Sequence, residues 1–206
     1  GDYLKAVDSF KKSLEISPNN LDSVFSLGGV LLMLGKFQEG WIKYESRWKV
    51  DIGKQVEWRV NDKPMWSGEA GKRVLLWREQ GIGDDILFLS LLPEAIKLCA
   101  SIVVFIDERL IPLCNRSMPQ ARFLSNSEKI ENEKFEFHLP MGSLCRLFRT
   151  KLSDFSKTTS KYLKADNSKL SALREELNIK KKTVIGISWK SFQATNQIKK
   201  NIALMD

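Results

Sequence analysis

Apolar residues recur along this chain with two different periods, and the change from one to the other divides it. Over residues 1 to 50 they return at helical spacing, and the pattern repeats after 34 positions. Gly1, Tyr3, Ala6, Phe10 and Leu14 match Gly35, Phe37, Gly40, Tyr44 and Trp48 in size and polarity. Pro18 and Asn20 close the first unit, and Leu27-Gly28 supplies the small residue that close helix contact needs. The spacing predicts three helices, with Tyr3, Phe10, Phe37, Tyr44 and Trp48 in the core between helix pairs. From Asp51 to Glu69 the period fades among turn residues, and Trp58 and Trp66 stand in that stretch. It reads as an ordered linker whose tryptophans plug the seam between helices and sheet.

Beyond it the apolar positions run together. Val74 to Trp77 and Ile102 to Ile106 are continuous runs of strand length, as expected for strands buried on both faces. Arg122 to Leu124 reads as a short third strand, and Phe135 to Leu139 alternates like one nearer an edge. Helices are predicted from Asp84 to Cys99, from Glu108 to Met118 with Pro112 in the first turn, and from Met141 to Thr150. Pro93 should kink or restart the first of these. Strands alternating with helices at this pace predict an α/β domain: a Rossmann-like parallel sheet with helices on both faces. Residues 151 to 167 read as a polar surface connection, and Ser168 as the cap of a helix reaching Leu177. Thr183 to Ser188 reads as a fresh buried strand that ends in Trp189, Lys190 and Ser191.

Chemistry concentrates at the turn after Val74–Trp77, where Gly81 and Gly83 precede Asp84 and Asp85. In open α/β sheets ligands sit at such junctions, where unpaired N–H groups of the next helix face the strand's carboxyl end. A phosphate cradle fits poorly. The dinucleotide fingerprint needs a small residue where Ile86 stands, no Gly-Lys-Ser/Thr ending follows, and two carboxylates would repel the anion. An acid here suits proton abstraction from a neutral hydroxyl better.

Charge and composition narrow the classes. The formal charge is +8, and it is uneven: residues 151 to 206 carry 12 basic and 5 acidic side chains, whereas residues 51 to 150 carry 14 of each. Such a tail suits nucleic acid or nucleotide phosphates, but no aromatic residues interleave Lys180, Lys181 and Lys182, which favours a solvated lysine face over specific nucleic-acid binding. No apolar run is long enough for a membrane span. Cys99, Cys114 and Cys145 form no C-x-x-C pair and read as buried free thiols in a reducing, cytoplasmic compartment. His138 is the only histidine, which argues against a metal site or a histidine-based triad.

The 34-residue unit resembles the tetratricopeptide repeat, beginning mid-repeat and covering about one and a half units. Taken with Pro64, Trp66 and Gly68, the LLW-x-EQGIGD element at 75 to 84, the strand IVVFI, YLKAD at 162 to 166 and GISWKS at 186 to 191, the chain resembles bacterial proteins in which such repeats precede a domain related to glycosyltransferase family nine, the heptosyltransferases. The resemblance implies the amino-terminal half of a GT-B fold, truncated at both ends. Partial repeats would occupy 1-50, a linker 51-70, a Rossmann-like acceptor-side domain 71-178, and the first strand and loop of an incomplete donor-side domain 179-206.

What the resemblance implies for function is inverting transfer from a nucleotide-sugar to an unknown acceptor, the sugar nucleotide being a substrate and no cofactor or metal being needed. Asp84 would be the base. Glu79, Gln80, Gly81, Gly83 and Asp85 would bind the acceptor or orient the loop, and Lys190 and Ser191 would meet donor phosphates. Each has a plainer reading: Asp84 as a first-turn acid, Glu79 as a holder of loop N–H groups, Lys190 and Ser191 as exposed loop. With most of the donor side missing, this fragment is expected to be inactive alone. The alternative is a non-catalytic module that grips a protein or peptide through the repeats.

Overall fold

The structure, a computed structural model, describes residues 2–50, 62–125, 127–130, 133–157, 161–177 and 185–187. The chain divides into two compact units, Gly1–Lys164 and Ala165–Asp206.

The first unit opens with three helices, α1 (Tyr3–Ile16), α2 (Leu21–Met33) and α3 (Phe37–Tyr44). Side chains of Asp2 and Asn20 cap the first two by accepting from the amides of Lys5 and Ser23. Gly35, at φ 74, ends α2, with its own amide and that of Lys36 returning to the carbonyls of Leu32 and Leu31. α2 packs against both neighbours around Val7, Leu27 and Leu31. Gly28 makes the second contact possible, since a Cβ there would stand 2.9 Å from the amide nitrogen of Tyr44.

The expected aromatic core of the helix pairs is only partly formed. Phe10 packs within it, but Tyr3 is 39% exposed. Phe37 meets Phe155 and Trp48 meets Trp77, with ring centroids 4.7 and 5.4 Å apart. Helical period identified the apolar side of α3 and of the 3-10 turn Glu45–Lys49 that follows, but that side faces the sheet as well as α2.

The sheet has four parallel strands in the order β3-β2-β1-β4, where β1 is Arg73–Trp77, β2 Ser101–Phe105, β3 Arg122–Leu124 and β4 Phe137–Pro140. The protein is therefore α/β with a parallel sheet. Alternate residues of β1 and β2 feed opposite clusters: Val74, Leu76, Ile102 and Val104 on one face, Leu75, Trp77, Val103 and Phe105 on the other. The first face is covered by α4 (Ile82–Leu89), α5 (Leu92–Leu98), α6 (Ile111–Ser117) and α7 (Leu144–Phe148). Against the second face pack, among the described residues, Trp48 and Ile130, both in 3-10 conformation, and Phe135 from loop.

The long helical pattern of 84 to 99 is two helices, with Pro93 at the second position of α5, where its missing N–H costs nothing. Trp66 is wholly buried, packed against Phe148, and its indole donates to the Glu69 carbonyl. The chain around it runs beside β4: the amide of Trp66 donates to the carbonyl of His138, and that of His138 to the carbonyl of Pro64. Trp58 lies outside the described residues. His138 is buried and its pKa is lowered by that burial; its Nδ1 accepts from the donor-only Trp77 Nε1 at 3.0 Å, which makes the ring neutral with its proton on Nε2.

Residues 151 to 167 are less of a surface connection than their polarity predicts. Leu152–Lys157 is a 3-10 turn in which buried Asp154 accepts from the amides of Thr150 and Lys151, and the Tyr162 hydroxyl donates to the Ile86 carbonyl. A carboxylate holding backbone amides can be buried, and composition alone does not reveal that.

In the second unit, α8 (Asn167–Glu176) is capped by Asp166, not by Ser168. The Asp166 carboxylate accepts from the amides of Ser168 and Lys169 and from the Ser168 hydroxyl, so the stronger acceptor takes the cap and the serine becomes its partner. Of the expected strand at Thr183 to Ser188, residues Ile185 and Ile187 are exposed and not in a strand; no described neighbour pairs with them, and the rest lies outside the described residues. Among the described residues no helix is long and apolar enough to cross a membrane.

Candidate functional site

The carboxyl edge of the sheet gathers several carboxylates, among them Glu79, Asp84, Asp85 and Asp107, each placed by the residues that end a strand or begin a helix. β1 ends at Trp77, and the chain turns through Arg78, Glu79 and Gln80 into α4, whose N-cap is Gly81. Asp84 is the third residue of the helix, and its Oδ2 accepts from the Gly81 amide at 3.1 Å, the return half of a capping box. The side chain is half-buried. Among the described residues no cation pairs with it. Gly83 has open space around it, so its role is not to relieve a contact.

The other three acids are neutralised. Asp85, buried, has Oδ2 2.9 Å from Arg78 Nε and 3.4 Å from the Asp107 amide. Burial pushes its carboxyl up to about 6, against the pull of Arg78. Asp107 follows β2 and grips Arg109 through both oxygens, at 2.8 and 2.9 Å, with Arg78 at 3.4 Å. Those bonds from Arg109 hold Asp107 down at about 2. Glu79 is paired with Arg47, which arrives from the 3-10 turn after α3: Nε lies 2.7 Å from Oε2 and Nη2 3.1 Å from Oε1. Its Oε1 also accepts from the Gly142 amide at 2.7 Å, tying the end of β1 to the end of β4. Arg47 reaches Glu45 and Ser143 as well, at 2.7 and 2.8 Å, and the Ser143 hydroxyl bonds back to Glu45.

Tyr44 stands beside the Arg47–Glu79 pair, its ring centroid 4.9 Å from the central carbon of the Arg47 guanidinium. Burial raises the pKa of that tyrosine. The turn that follows β1 is thus braced at Glu79 from outside the sheet by Arg47.

β1 is where the strand order reverses, with β2 on one side and β4 on the other, and a Rossmann-like sheet opens its crevice between those neighbours. Here Glu79, Arg47 and Ser143 fill that place. A separate cleft of about 430 Å³ opens beside it, past β1, β2 and β3, lined by Arg78, Ile106, Asp107, Glu108, Arg109 and two serines. Asp84 is not among the lining residues.

The structure therefore brings Glu79, Gln80, Gly81, Gly83, Asp84 and Asp85 together at one edge. Lys190 and Ser191 lie outside the described residues. Sequence reasoning missed Arg47, Glu45, Ser143, Arg78, Asp107 and Arg109. The two arginines beside acids, Arg78 before Glu79 and Arg109 after Asp107, carried a weak signal as charges at strand ends; Arg47 carried only its neighbours Tyr44, Glu45 and Trp48. Among the described residues no group of three His, Cys, Asp or Glu side chains is arranged to hold a metal ion.

Comparison with known proteins gives little beyond this geometry. No known protein family matches the chain, and no solved structure matches it. The chain is 26% identical over 197 residues to Protein FlbA of Caulobacter vibrioides, an overlap that takes in 86% of this chain and 33% of that protein. The chain thus spans about a third of the length of this relative.

Proposed function

We propose that this chain is the acceptor-side part of a glycosyltransferase of the GT-B kind, with Asp84 as the general base. The observation that carries the reading is the contrast among four acids at one edge: three are neutralised by arginines, and Asp84 alone among them is half-exposed without a cation. A carboxylate with no cation bound to it has an oxygen open to an acceptor hydroxyl. In this reading Asp84 takes the proton of an acceptor hydroxyl, the oxygen attacks the anomeric carbon of the sugar, and the nucleoside diphosphate leaves from the opposite face. Configuration is inverted. Gly81 presents the carboxylate by donating to one of its oxygens and leaves the other for the acceptor. A parallel sheet with its first helix amino terminus at this turn supports the assignment of the acceptor side, and the three amino-terminal helices support the partial repeats.

The test is Asp84→Asn in the full-length protein, assayed for transfer and hydrolysis with a panel of nucleotide-sugars. The amide oxygen can still accept from Gly81, so the cap survives while the base is lost. Turnover is expected to fall about 100-fold or more at nearly unchanged Tm. Unchanged turnover removes Asp84 as base.

A second reading, a non-catalytic module that binds a protein or peptide, is favoured by one observation: the crevice between β1 and β4 is filled by a buried ion pair. Absence of turnover in the wild-type full-length protein with every donor tried would support it.

A further inference from the structure

Arg47 belongs to the helical segment by sequence, yet its side chain is 1% exposed and ends at the carboxyl edge of the sheet, between the residues that follow β1 and β4. We propose that the crevice between β1 and β4 is a guanidinium-binding site, and that Arg47 is its ligand, supplied by the helical segment. The chemistry of the lining carries this. Glu79 accepts from Nε and Nη2, Ser143 from Nη2, and Glu45 from Nη1, so all three nitrogens of the fork are held. An ammonium has no such fork and could not engage both Glu79 oxygens from one plane. The faces of the guanidinium are covered too, with Tyr44 and Trp48 ring centroids 4.9 and 4.2 Å from its central carbon.

The backbone is shaped for the same arrangement. Gly142 donates its amide to Glu79 Oε1, and a Cβ at that position would lie 2.6 Å from the same oxygen. The glycine therefore lets the carboxylate lie flat against the chain, where it meets the fork edge-on. Glu45 and Glu79 bring two carboxylates to one cation, so an unfilled crevice would attract a cation and repel a phosphate.

The arrangement makes the helical segment a gate. While Arg47 is seated, the place where an open α/β sheet receives its ligand is closed, and the turn leading to Asp84 is clamped at Glu79. Movement of the 3-10 turn Glu45–Lys49 would withdraw the guanidinium together with Glu45 and Trp48, free Glu79 and open the crevice, leaving Glu79, Ser143 and the Gly142 amide as the sheet's share of the cradle. This inference stands whether or not the chain takes part in sugar transfer.

Arg47→Ala removes the ligand and leaves the cradle. Methylguanidinium titrated into that variant is expected to raise its Tm by about 3 to 6 °C at about ten times its Kd. Methylammonium at the same concentration should give no rise, and the wild-type protein should gain from neither. No rise with methylguanidinium, or an equal rise with methylammonium, overturns the proposal. Arg47→Lys covers the case in which the alanine variant does not fold, because it retains the cation. Hydrogen exchange at the Gly142 amide is expected to be about tenfold faster in Arg47→Lys than in the wild type, since one ammonium cannot fix both Glu79 oxygens. An unchanged rate there overturns the proposal as well.

Discussion

Replacing Gly142 with alanine isolates the rigidity of the Glu79 pair. The new Cβ would lie 2.6 Å from Glu79 Oε1, 3.1 Å from Glu79 Cδ and 3.2 Å from Phe88 Cζ. An ordinary carbon-to-oxygen contact is about 3.3 Å or longer, so the carboxylate must withdraw by roughly 0.7 Å. A free glutamate would do so at little cost. Glu79 is not free: Arg47 holds both oxygens, at 2.7 and 3.1 Å, and withdrawal stretches the 2.7 Å bond from the Gly142 amide. Overpacking costs about 1 to 3 kcal/mol, and weakening a charge-assisted hydrogen bond about 1.5 to 3. Alanine returns up to about 1 kcal/mol by restricting the unfolded chain. The expected net loss is about 2 to 4 kcal/mol, read as a urea midpoint lowered by about 1 to 2 M at unchanged m, followed by tryptophan fluorescence. Gly83→Ala is the control, since nothing lies within 4 Å of its added Cβ, and it should not destabilise, gaining up to about 1 kcal/mol from the same restriction of the unfolded chain. A loss below about 1 kcal/mol for Gly142→Ala would mean that Glu79 swings aside freely, and the argument for a fixed guanidinium fork would fail.

Other expectations follow from the same geometry. Gly28→Ala should cost about 1 to 3 kcal/mol in urea unfolding, because the atoms its Cβ meets are backbone of Gly40, Lys43 and Tyr44, whereas Gly29→Ala, with nothing within 4 Å, should not destabilise; equal losses would refute the close approach of α2 and α3. Asp85 sits at about 6 when folded against an ordinary 3.8, so the folded chain binds its proton more tightly. Its destabilising contribution is full above about pH 6 and fades as pH falls toward 3.8, amounting to at most about 3 kcal/mol. Asp85→Asn should therefore change the slope of stability against pH between 4 and 7, and superimposable profiles would refute the shift. Burial pushes the Cys114 and Cys145 thiols to about 11 and about 12, so iodoacetamide at pH 8 should label them at least about 100-fold more slowly in the folded protein than in urea, as measured by mass spectrometry. Rapid native labelling of Cys145 would show that α7 opens readily.

The strands were legible because burial on both faces writes itself as unbroken apolar runs, and β1, β2 and β3 stand where those runs fall. The glycine turn and the restart at Pro93 were legible for local reasons as well: each depends on a residue whose backbone freedom is unusual. What could not be read was partnership. Phe37 and Trp48 have the spacing of helix core residues, and that period fixes which side of a helix is apolar without saying which surface covers it. Glu79 stood out as an acid at a strand end, but its partner comes from 32 positions earlier and no local pattern links the two. Ser168 and Asp166 are both good caps, and the choice between them rests on which oxygen carries charge. The burial of Asp154 was hidden in the same way, since a polar stretch looks solvated until its amides are seen to converge on one carboxylate.

The strip from Pro64 to Trp66 alongside β4 bears on how this protein behaves in a crowd. A bare margin of unpaired amides and carbonyls invites a foreign strand to dock and a stack of molecules to grow. On the β4 side that invitation is withdrawn at His138, whose amide and carbonyl are already engaged by the strip, with Trp66 anchoring it in the interior. On the opposite side β3 runs for only three residues, too short a template to reward an intruder. A tryptophan that looks like filler is thus also a guard against aggregation, and any shortened version of the protein that begins beyond Trp66 would give that protection up.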